Sequence, residues 1–372
     1  MPSISFALLV DGNPVEPEVL TALKQVDVED HADLADIMRL AVGIGIRNDG
    51  GGWTVLDDDL FGRLRKLTVT VTVGTGQTET LLHAHVVETR AELSSQPGRS
   101  VLRVVALDPS VRMHLEEKVR AWPDMTDSDI ATAVFGEYGF IAQVTATEPA
   151  RQDDDSTTVQ RGTDIQFLRR LAERNGCECF VTVDPASAAI EGHFHPPEVD
   201  ATPQGVLSVN LGSETNVDAF AVRFDMLRPV AVETAGLDAD DEDEQRVQVQ
   251  RTTLRSLGKV ETGTDDRPRK VLLTGSGLAK AGELQTWAQA VADESAWALT
   301  AEGELDTAAY GAVLRAKRPV LVRGAGPRLS GTWYVERVLH TFTADAYTQR
   351  FALRRNALGV TGQERFADTG TA

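Results

Sequence analysis

Two pairs of histidines have the spacing that could hold a metal ion. His83 and His85 form one pair, and His193 and His195 form the other. Residues i and i+2 of a β-strand share one face, so each pair could present two imidazoles to the same ion. A structural zinc site normally has four protein ligands, and no neighbouring residue supplies a third. Histidines at the wet edge of a sheet explain both pairs better, and we expect no metal site and no cofactor.

The two cysteines are the next candidates for chemistry. Cys177 and Cys179 are one residue apart, which is too close for an easy mutual disulfide. A redox pair more often has the Cys-x-x-Cys spacing at a helix start. We therefore expect both thiols to pack as small apolar side chains on one strand.

Motifs for catalysis are missing from the sequence. It contains no phosphate-binding loop, no nucleophile elbow and no His-Glu-x-x-His helix. Among 56 acidic residues some pair must fit a glycosidase spacing by chance, so the run Asp57 to Asp59 carries no weight. We predict no catalytic residues and no enzyme.

Composition and charge exclude several classes of protein. The 372 residues include 37 basic and 56 acidic side chains, for a net charge of −19. This balance argues against binding to nucleic acids or anionic membranes, because both need basic patches. No apolar stretch approaches the ~18 residues of a membrane span. The first residues, Met1 to Phe6, lack the basic region of a signal peptide, so we expect synthesis in the cytoplasm without a signal sequence.

The elements that must position these residues begin with a strand-rich block at 1–109. In the stretch 67–73, valines and threonines alternate, which is typical of a half-buried antiparallel strand. Similar patterns predict strands at 4–10, 20–28, 81–89 and 101–107. A short helix is expected at 32–40, and the block as a whole reads as a small sheet or barrel.

Residues 110–204 have a mixed helix and strand pattern. Thr126 is a predicted N-cap and Gly139 a predicted stop for one helix. Thr163 and Gln166 have capping-box spacing for a second helix, which ends at 175–176 before a strand at 179–183. We interpret this stretch as an inserted α/β domain.

Strands return at 207–211 and 219–224, before six acids in the seven residues 238–244. Such a run repels itself and is expected in a solvated loop, so 237–268 is interpreted as an acidic linker region. The run lacks the glycine and ligand spacing of a calcium loop.

The last block, 269–358, begins with a predicted helix whose small and apolar residues recur at helical spacing over 284–295. Strands are expected at 296–303, 319–323, 333–343 and 347–355. The remaining residues, 359–372, form a polar tail.

A hairpin is expected within that last block. The stretches 334–342 and 347–351 should be antiparallel strands joined by the four residues 343–346. Strict alternation would place Val338, His340 and Phe342 on one face and Val335 on the other, one face meeting the core and the other an assembly interface. His340 is then a hydrogen-bonded structural residue.

Three segments near the C-terminus resemble the signature of a known family. They are 331–342, 347–351 and 353–356, and they are similar to the C-terminal signature of the phage late control protein D family. The passages 101–109, 122–131 and 160–172 resemble other parts of that family, so the resemblance covers about 1–358. The residues that carry the signature, all interpreted as structural, are Gly331, Tyr334, Val335, Val338, His340, Tyr347, Phe351, Arg355 and Asn356.

This resemblance implies an α+β, mainly β fold and a structural role. Members of the family are baseplate hubs of contractile tails and injection systems, related to the hub portion of type VI secretion spike proteins. It implies a first tube domain at 1–109, completed by 205–236, and a second tube domain at 269–358, both β-barrel-like. Three copies would form a pseudo-sixfold ring that joins a separate spike protein to the hexameric inner tube, among other baseplate proteins. The finished particle would be a phage tail, a bacteriocin or an injection system.

Two rival functions stay open at this point. A tail-associated cell-wall hydrolase or metal-dependent enzyme would be favoured if the two histidine pairs met in space. A carbohydrate-binding β module would be favoured if exposed tryptophan or tyrosine side chains lined one groove. Trp287 and Trp333 instead have positions that favour the core.

Overall fold

The computed structural model describes residues 4–47, 50–74, 78–148, 157–184, 187–237, 244–263, 268–274 and 281–366. These residues form a mainly β, α+β structure. The N-terminal strands are β1 (Ile4–Val10), β2 (Asn13–Pro14), β3 (Leu23–His31), β4 (Ile37–Gly43), β5 (Lys66–Val73), β6 (Thr78–Glu92) and β7 (Val101–Leu107). The next strands are β8 (Glu117–Trp122), β9 (Ile141–Val144), β10 (Thr158–Thr163), β11 (Glu178–Val183) and β12 (Ile190–His195).

The second half of the chain supplies the other strands and the longest helix. Its strands are β13 (Val206–Ser208), β14 (Val217–Phe224), β15 (Val230–Leu237), β16 (Glu244–Val249), β17 (Val260–Glu261), β18 (Arg269–Leu273), β19 (Leu299–Leu305), β20 (Pro319–Arg323), β21 (Gly331–Phe342), β22 (Tyr347–Arg355) and β23 (Ala357–Leu358). The α-helices are α1 (Pro17–Ala22), α2 (Asp127–Glu137), α3 (Asp164–Arg174), α4 (Ala281–Ser295) and α5 (Thr307–Tyr310), and short 3-10 turns lie at Pro109–His114 and Gly212–Glu214.

One large sheet runs through the N-terminal and C-terminal blocks. Within the described residues its strands follow the order β14-β19-β22-β21-β3-β4-β7-β6-β5-β1-β2, with β20 and β13 attached beside β21. The two blocks meet where β21 pairs with β3, from Arg337 opposite His31 to Phe342 opposite Val26. The blocks are therefore joined by a hydrogen-bonded ladder rather than by side-chain packing alone.

Each block has its own apolar core. In β5 the residues Leu67, Val69, Val71 and Val73 are buried, as the alternation predicts. The C-terminal core gathers side chains from β19 to β22, among them Trp333, Val335 and Leu353. Burying a side chain of this size contributes about 1.5–3 kcal/mol, so the two cores are the main stabilising force of the sheet.

The helix expected at 32–40 is wrong, because this segment leads into β4. Met38, Leu40 and Val42 are buried in alternation, and β4 pairs with β3 on one side and β7 on the other. A short apolar run fits either period, and the two neighbouring ladders decide for the strand. The strand expected at 20–28 begins later, at Leu23, after the helix α1 that Pro17 starts.

The range 205–236 was expected to complete the first tube domain, and in the described residues its strands pair with strands outside 1–109. Strand β13 pairs with β20, and β14 pairs with β19, so both extend the C-terminal part of the sheet. Strand β15 pairs with β16 and β18 in a separate three-stranded sheet that packs against α4. Pairing between strands far apart in sequence leaves no local signal, which is why the pattern along the chain did not reveal it.

The linker expected at 237–268 contains structure. Its residues Glu244–Val249 form β16, whose first residue lies opposite Leu237 of β15. The acidic residues 238–243 lie outside the described residues. Strand β18 (Arg269–Leu273) was expected to be part of the second tube domain. It pairs instead with β15, in the three-stranded sheet beside α4.

The middle segment folds as an α/β unit with its own core. Thr126 caps α2, as the sequence predicts. The Asp129 side chain also accepts a hydrogen bond from the Thr126 backbone amide, which completes a capping box that was not predicted. Thr163 is the N-cap residue of α3, but its side chain makes no capping bond there. Its hydroxyl lies 3.0 Å from His114 Nδ1 instead. The helices cover a mixed sheet of β9, β11 and β12.

The helices of the described residues are too short or too polar to cross a membrane.

Candidate assembly site around the signature hairpin

The signature segments form the hairpin that the sequence predicts. Strands β21 and β22 are antiparallel, with Phe342 opposite Tyr347 at the four-residue connection. At that end Tyr347 stacks on Phe342, with ring centroids 4.2 Å apart. His340 is fully buried beside them, and its Nδ1 lies 2.9 Å from the Tyr347 hydroxyl. Burial, and next the Arg315 charge, lowers the pKa of His340 to about 3, so the ring is neutral.

The expected two faces of β21 are wrong, because the strand contains a bulge. The register with β22 shifts between Val335 and Arg337, which leaves Glu336 as an extra residue. Val335 and Val338 therefore both enter the C-terminal core, each with no exposed surface. Tyr334 is also fully buried, on the opposite side, in a small cluster with Trp297. Both faces of the hairpin are therefore buried around Tyr334 and Val335.

Next to Tyr334, the buried ion pair of Glu178 and Arg354 joins the hairpin to the inserted α/β unit. Glu178, at the start of β11, accepts a hydrogen bond from the Tyr334 hydroxyl at 2.7 Å. Its other oxygen accepts from Arg354 Nη2 of β22 at 2.5 Å. The guanidinium of Arg354 also lies over the rings of Trp297 and Tyr334, 4.7 and 5.1 Å from their centroids. Burial raises the pKa of Glu178 to about 7, against the opposing Arg354 charge.

The last two signature residues fix neighbouring backbone. Arg355 donates to four carbonyl oxygens, those of Leu329, Ser330, Leu257 and Gly359, at 2.5–3.2 Å. Asn356 accepts from the Leu257 amide and donates to the Arg255 carbonyl, both at 2.9 Å. These contacts hold the 255–258 segment against the end of β22.

Gly331 is needed to accommodate the buried Arg355 side chain. Its φ of +131° is a conformation that side-chain-bearing residues rarely adopt. A Cβ at this position would also lie 2.5 Å from Arg355 Nη2. The glycine therefore leaves room for the guanidinium that the other contacts require.

A second buried charge cluster lies where the two blocks join. Lys317 Nζ donates to Asp30 at 2.5 Å and to Asp36 at 2.9 and 3.1 Å. The Asp36 amide donates to Asp108 at 2.7 Å, and Lys317 also lies 5.2 Å from the centroid of the Phe180 ring. Burial raises the pKa of Asp36 to about 7 despite the ammonium beside it. Burial also opposes ionisation of Asp30, but the Lys317 and Arg315 charges outweigh it and lower its pKa to about 2.

Sequence reasoning missed Glu178 and the Lys317 cluster. The paired groups are separated by between 176 and 287 residues, so spacing carries no signal. A local hint was Arg354, a basic residue that directly follows the apolar run Phe351–Leu353 of β22, since an arginine is rarely buried without a partner.

The large sheet ends in strand edges that no described strand covers. At one end β14 pairs with β19 on one side only. At the other end β1 pairs along its length with β5, while its outer side meets only the two-residue β2. Beside β14 lies an open groove of about 410 Å³, lined mostly by apolar side chains including Val222, Phe224 and Met226. Met226 and Leu227, which follow β14, are 69% and 71% exposed.

A second cavity, of about 330 Å³, lies where the inserted unit meets α4 and the hairpin. Arg354 and Glu178 line it, together with Arg169 of α3. Nε and Nη2 of Arg169 are buried without a hydrogen-bond partner among the described residues. Several carboxylates also line this cavity, so its charge is mixed.

The two histidine pairs lie in different sheets. His83 and His85 are on β6 of the large sheet, where they bond to Thr68 Oγ1 at 2.7 Å and to the Leu64 carbonyl at 3.2 Å. His193 and His195 are on β12 of the inserted unit. As the described part of the chain stands, no group of three or more His, Cys, Asp or Glu side chains is gathered to hold a metal ion.

Both cysteines pack against the apolar core as expected, but only Cys179 lies on a strand, since β11 begins at Glu178. Cys179 is buried in the core of the inserted unit, with Cys177 partly buried against it. Burial raises the pKa of both thiols to about 12, so neither is a reactive thiolate at neutral pH.

Solved structures that resemble this fold include tail proteins of phages and prophages. A tail protein from Neisseria meningitidis MC58 matches with a TM-score of 0.63 and 14% identity, over 95% of this chain and 96% of that one. The 43 kDa tail protein of prophage MuSo2 from Shewanella oneidensis matches with a TM-score of 0.64 and 14% identity, over 95% and 98%. An E. coli component of the type VI secretion system, described as structurally similar to T4 bacteriophage tail proteins gp27 and gp5, has a TM-score of 0.56 and 12% identity, over 94% and 77%.

These likenesses establish the fold, and they agree with the resemblance to baseplate hubs in the sequence. No curated protein matches the chain by sequence. The family model described as the Alg8 N-terminal domain matches residues 2–344. Since that match takes in most of the 372 residues, the chain belongs to the Alg8 N-terminal domain family.

Proposed function

We propose that this protein is a non-enzymatic baseplate hub of a contractile phage-tail-like particle, and that it works as a homotrimer. The observation that carries the proposal is the single sheet that crosses both blocks and ends in strand edges at β14 and β1. Edges of this kind invite pairing with another chain, and soluble monomers normally protect them. Three copies placed edge to edge would cover them, with two blocks from each copy giving a pseudo-sixfold ring of barrel-like tube domains.

The buried ion pairs support a role that depends on a fixed shape. Glu178 with Arg354, and Lys317 with Asp30 and Asp36, tie the inserted unit and both blocks to one another. Breaking such a pair on one side is costly, so the relative positions of the units are well specified. A hub that joins a separate spike protein to a hexameric inner tube, among other baseplate proteins, needs this rigidity more than it needs a catalytic pocket.

Two observations argue against the rival functions. The hydrolase alternative needed the two histidine pairs to meet, and they lie on β6 and β12 in separate sheets. The carbohydrate-binding alternative needed exposed aromatic side chains, and Trp333 is fully buried in the C-terminal core. Purified protein should therefore give no clearing on a peptidoglycan gel; clearing that a single Asp or Glu substitution removes would overturn the proposal.

The test of the hub proposal is the oligomeric state and its dependence on the β14 edge. Native mass measurement, alone and with the spike protein of the same particle, should find three copies. The double variant Met226→Glu/Leu227→Glu should remain folded, because both side chains are exposed, but should fail to form trimers. Val119→Glu is the matched control, since Val119 is 83% exposed on β8 of the inserted unit. A wild-type protein that stays monomeric with its spike, or a double variant that still forms trimers, would contradict the proposal.

A further inference from the structure

Three carboxyl groups and one ammonium group are buried together where the two blocks join. Asp30, Asp36, Asp108 and Lys317 are each at most 9% exposed. Lys317 Nζ donates to Asp30 Oδ1 at 2.5 Å and to both oxygens of Asp36, at 2.9 and 3.1 Å. Asp108 accepts a hydrogen bond from the Asp36 backbone amide at 2.7 Å. If every group were ionised, three negative charges would face a single positive charge.

The titratable groups around this cluster do not balance the excess negative charge. They are Arg315, His31, His340 and, from the inserted unit, Glu178 and His193. Burial lowers the pKa of all three histidines, so their rings are neutral at pH 7. Glu178 adds a further carboxyl group, which is paired with Arg354. Arg315 donates to two carbonyl oxygens of β6 and lies 3.7 Å from Glu79, so its charge is already engaged.

A buried excess of negative charge is relieved when one carboxyl group keeps its proton. The hydrogen bonds favour Asp36 as the carrier. Both oxygens of Asp108 accept from backbone amides, those of Ser110 and Asp36, each at 2.7 Å. Asp36 Oδ1 accepts from the His31 amide at 2.9 Å, while in the described residues its Oδ2 is bonded only to Lys317. Asp36 Oδ2 therefore has room for a proton, and burial raises the pKa of Asp36 to about 7.

The same carboxyl groups hold backbone amides from both blocks. Asp30 Oδ2 accepts from the Ala316 amide at 3.0 Å, which ties the segment before β20 to β3. Asp36 ties the end of β3 to the start of β4 through the His31 amide. The Phe180 ring of the inserted unit lies beside the ammonium group, with its centroid 5.2 Å from Nζ. If this contact opened, water would reach the carboxyl groups, and Asp36 would ionise with an ordinary pKa of about 3.9.

We propose that the cluster of Asp30, Asp36, Asp108 and Lys317 is a latch between the N-terminal and C-terminal blocks, closed by a proton on Asp36 and weakened as the pH rises. The inference is independent of the hub function. The closed latch holds one more proton than the open one at pH values between 3.8 and about 7. Opening therefore releases a proton, and the opening equilibrium constant should rise by up to about tenfold for each pH unit in that window. Above pH 7 Asp36 is ionised in both states, and the constant should level off.

Hydrogen exchange of the full chain at pH 5, 6, 7 and 8 tests the latch. The amides of His31, Asp36 and Ala316 report its opening, because each donates to one of the carboxyl groups. After correction for the intrinsic pH dependence of exchange, their opening constants should rise about tenfold between pH 5 and pH 6 and change little between pH 7 and pH 8. In Asp36→Asn the side-chain oxygen still accepts from the His31 amide and Lys317, but no proton titrates, so the constants should stay flat.

The matched control on the same strand is Asp27→Asn. Asp27 accepts from Thr341 and Gln25, outside the latch, so this variant should keep the rise of the wild type. His340 takes up a proton on complete unfolding below pH 6.5, which acts in the opposite direction. Because His340 is present in all three proteins, its effect cancels in the comparison between them.

Infrared difference spectra between pH 6 and pH 9 give a second readout. The wild type should lose a carbonyl band of a protonated carboxyl group, and the part of this band that belongs to Asp36 should be missing in Asp36→Asn. The proposal is overturned if the wild-type opening constants do not rise between pH 5 and pH 7, or if those of Asp36→Asn rise as steeply. Loss of the rise in Asp27→Asn, or an equal loss of the band in wild type and Asp36→Asn, would overturn it as well.

Discussion

A neutral buried histidine makes the fold sensitive to acid. His340 is fully buried, and burial lowers its pKa from 6.5 to about 3. Between those two values the unfolded chain takes up a proton at this residue and the native protein does not. The unfolding free energy therefore falls as the pH drops from 6.5 toward 3, by about 2 kcal/mol from this residue at pH 5.

The measurement is urea unfolding of the wild type and of His340→Gln at pH 7 and pH 5. The variant keeps a polar group near the Tyr347 hydroxyl but has nothing to titrate at this position. The loss of stability between the two pH values should be smaller in the variant than in the wild type. An equal loss in both proteins would mean that His340 does not contribute to acid sensitivity.

The ion pair between Glu178 and Arg354 should behave as a coupled unit. Arg354→Met would leave a buried carboxylate with no opposite charge, which costs about 3–5 kcal/mol of unfolding free energy. Replacing both residues by apolar side chains should cost less than the Arg354 change alone, because no unpaired buried charge is left. The two other carboxylates near Arg354, Asp33 and Glu294 at 3.7 Å, have exposed side chains that water can solvate. A double-mutant cycle in denaturant measures this coupling.

The matched control is Arg350→Met on the same strand. Arg350 pairs with Glu304 at 2.8 Å, but its side chain is 67% exposed, so the loss should be within about 1 kcal/mol. If Arg350→Met and Arg354→Met destabilised the protein equally, the buried pair would have no special role in holding the inserted unit.

At the scale of elements, the bulge in β21 changes what its substitutions do. Val335 and Val338 both point into the C-terminal core, so an aspartate at either position buries an unpaired charge. Both Val335→Asp and Val338→Asp should therefore give misfolded protein by circular dichroism and solubility. Glu336→Gln, at the extra residue of the bulge, should fold normally. A folded Val335→Asp variant that only fails to assemble would restore the alternating faces expected from sequence.

Sequence patterns predicted the elements whose causes are local. The N-cap residue Thr126 fixes the start of α2, alternation fixes β5, and a four-residue connection fixes the hairpin of β21 and β22. The bulge at Glu336 has no such local cause, since it depends on the pairing of β21 with β22. Nor could a sequence alone bring Lys317 to Asp30, because that contact depends on how the two blocks join.

At the scale of the whole molecule, net charge should control assembly. Each copy carries a net charge of −19, so three copies in a ring repel one another. Salt screens this repulsion, since the Debye length falls from about 30 Å at 0.01 M to about 10 Å at 0.1 M. If apolar edges such as the groove beside β14 hold the proposed trimer together, raising sodium chloride should shift the protein toward the trimer. Sedimentation velocity at fixed protein concentration and increasing salt measures that shift. Dissociation on adding salt would mean that attraction between opposite charges, rather than apolar contact, holds the copies together, and the β14 groove would then lose its place at the interface.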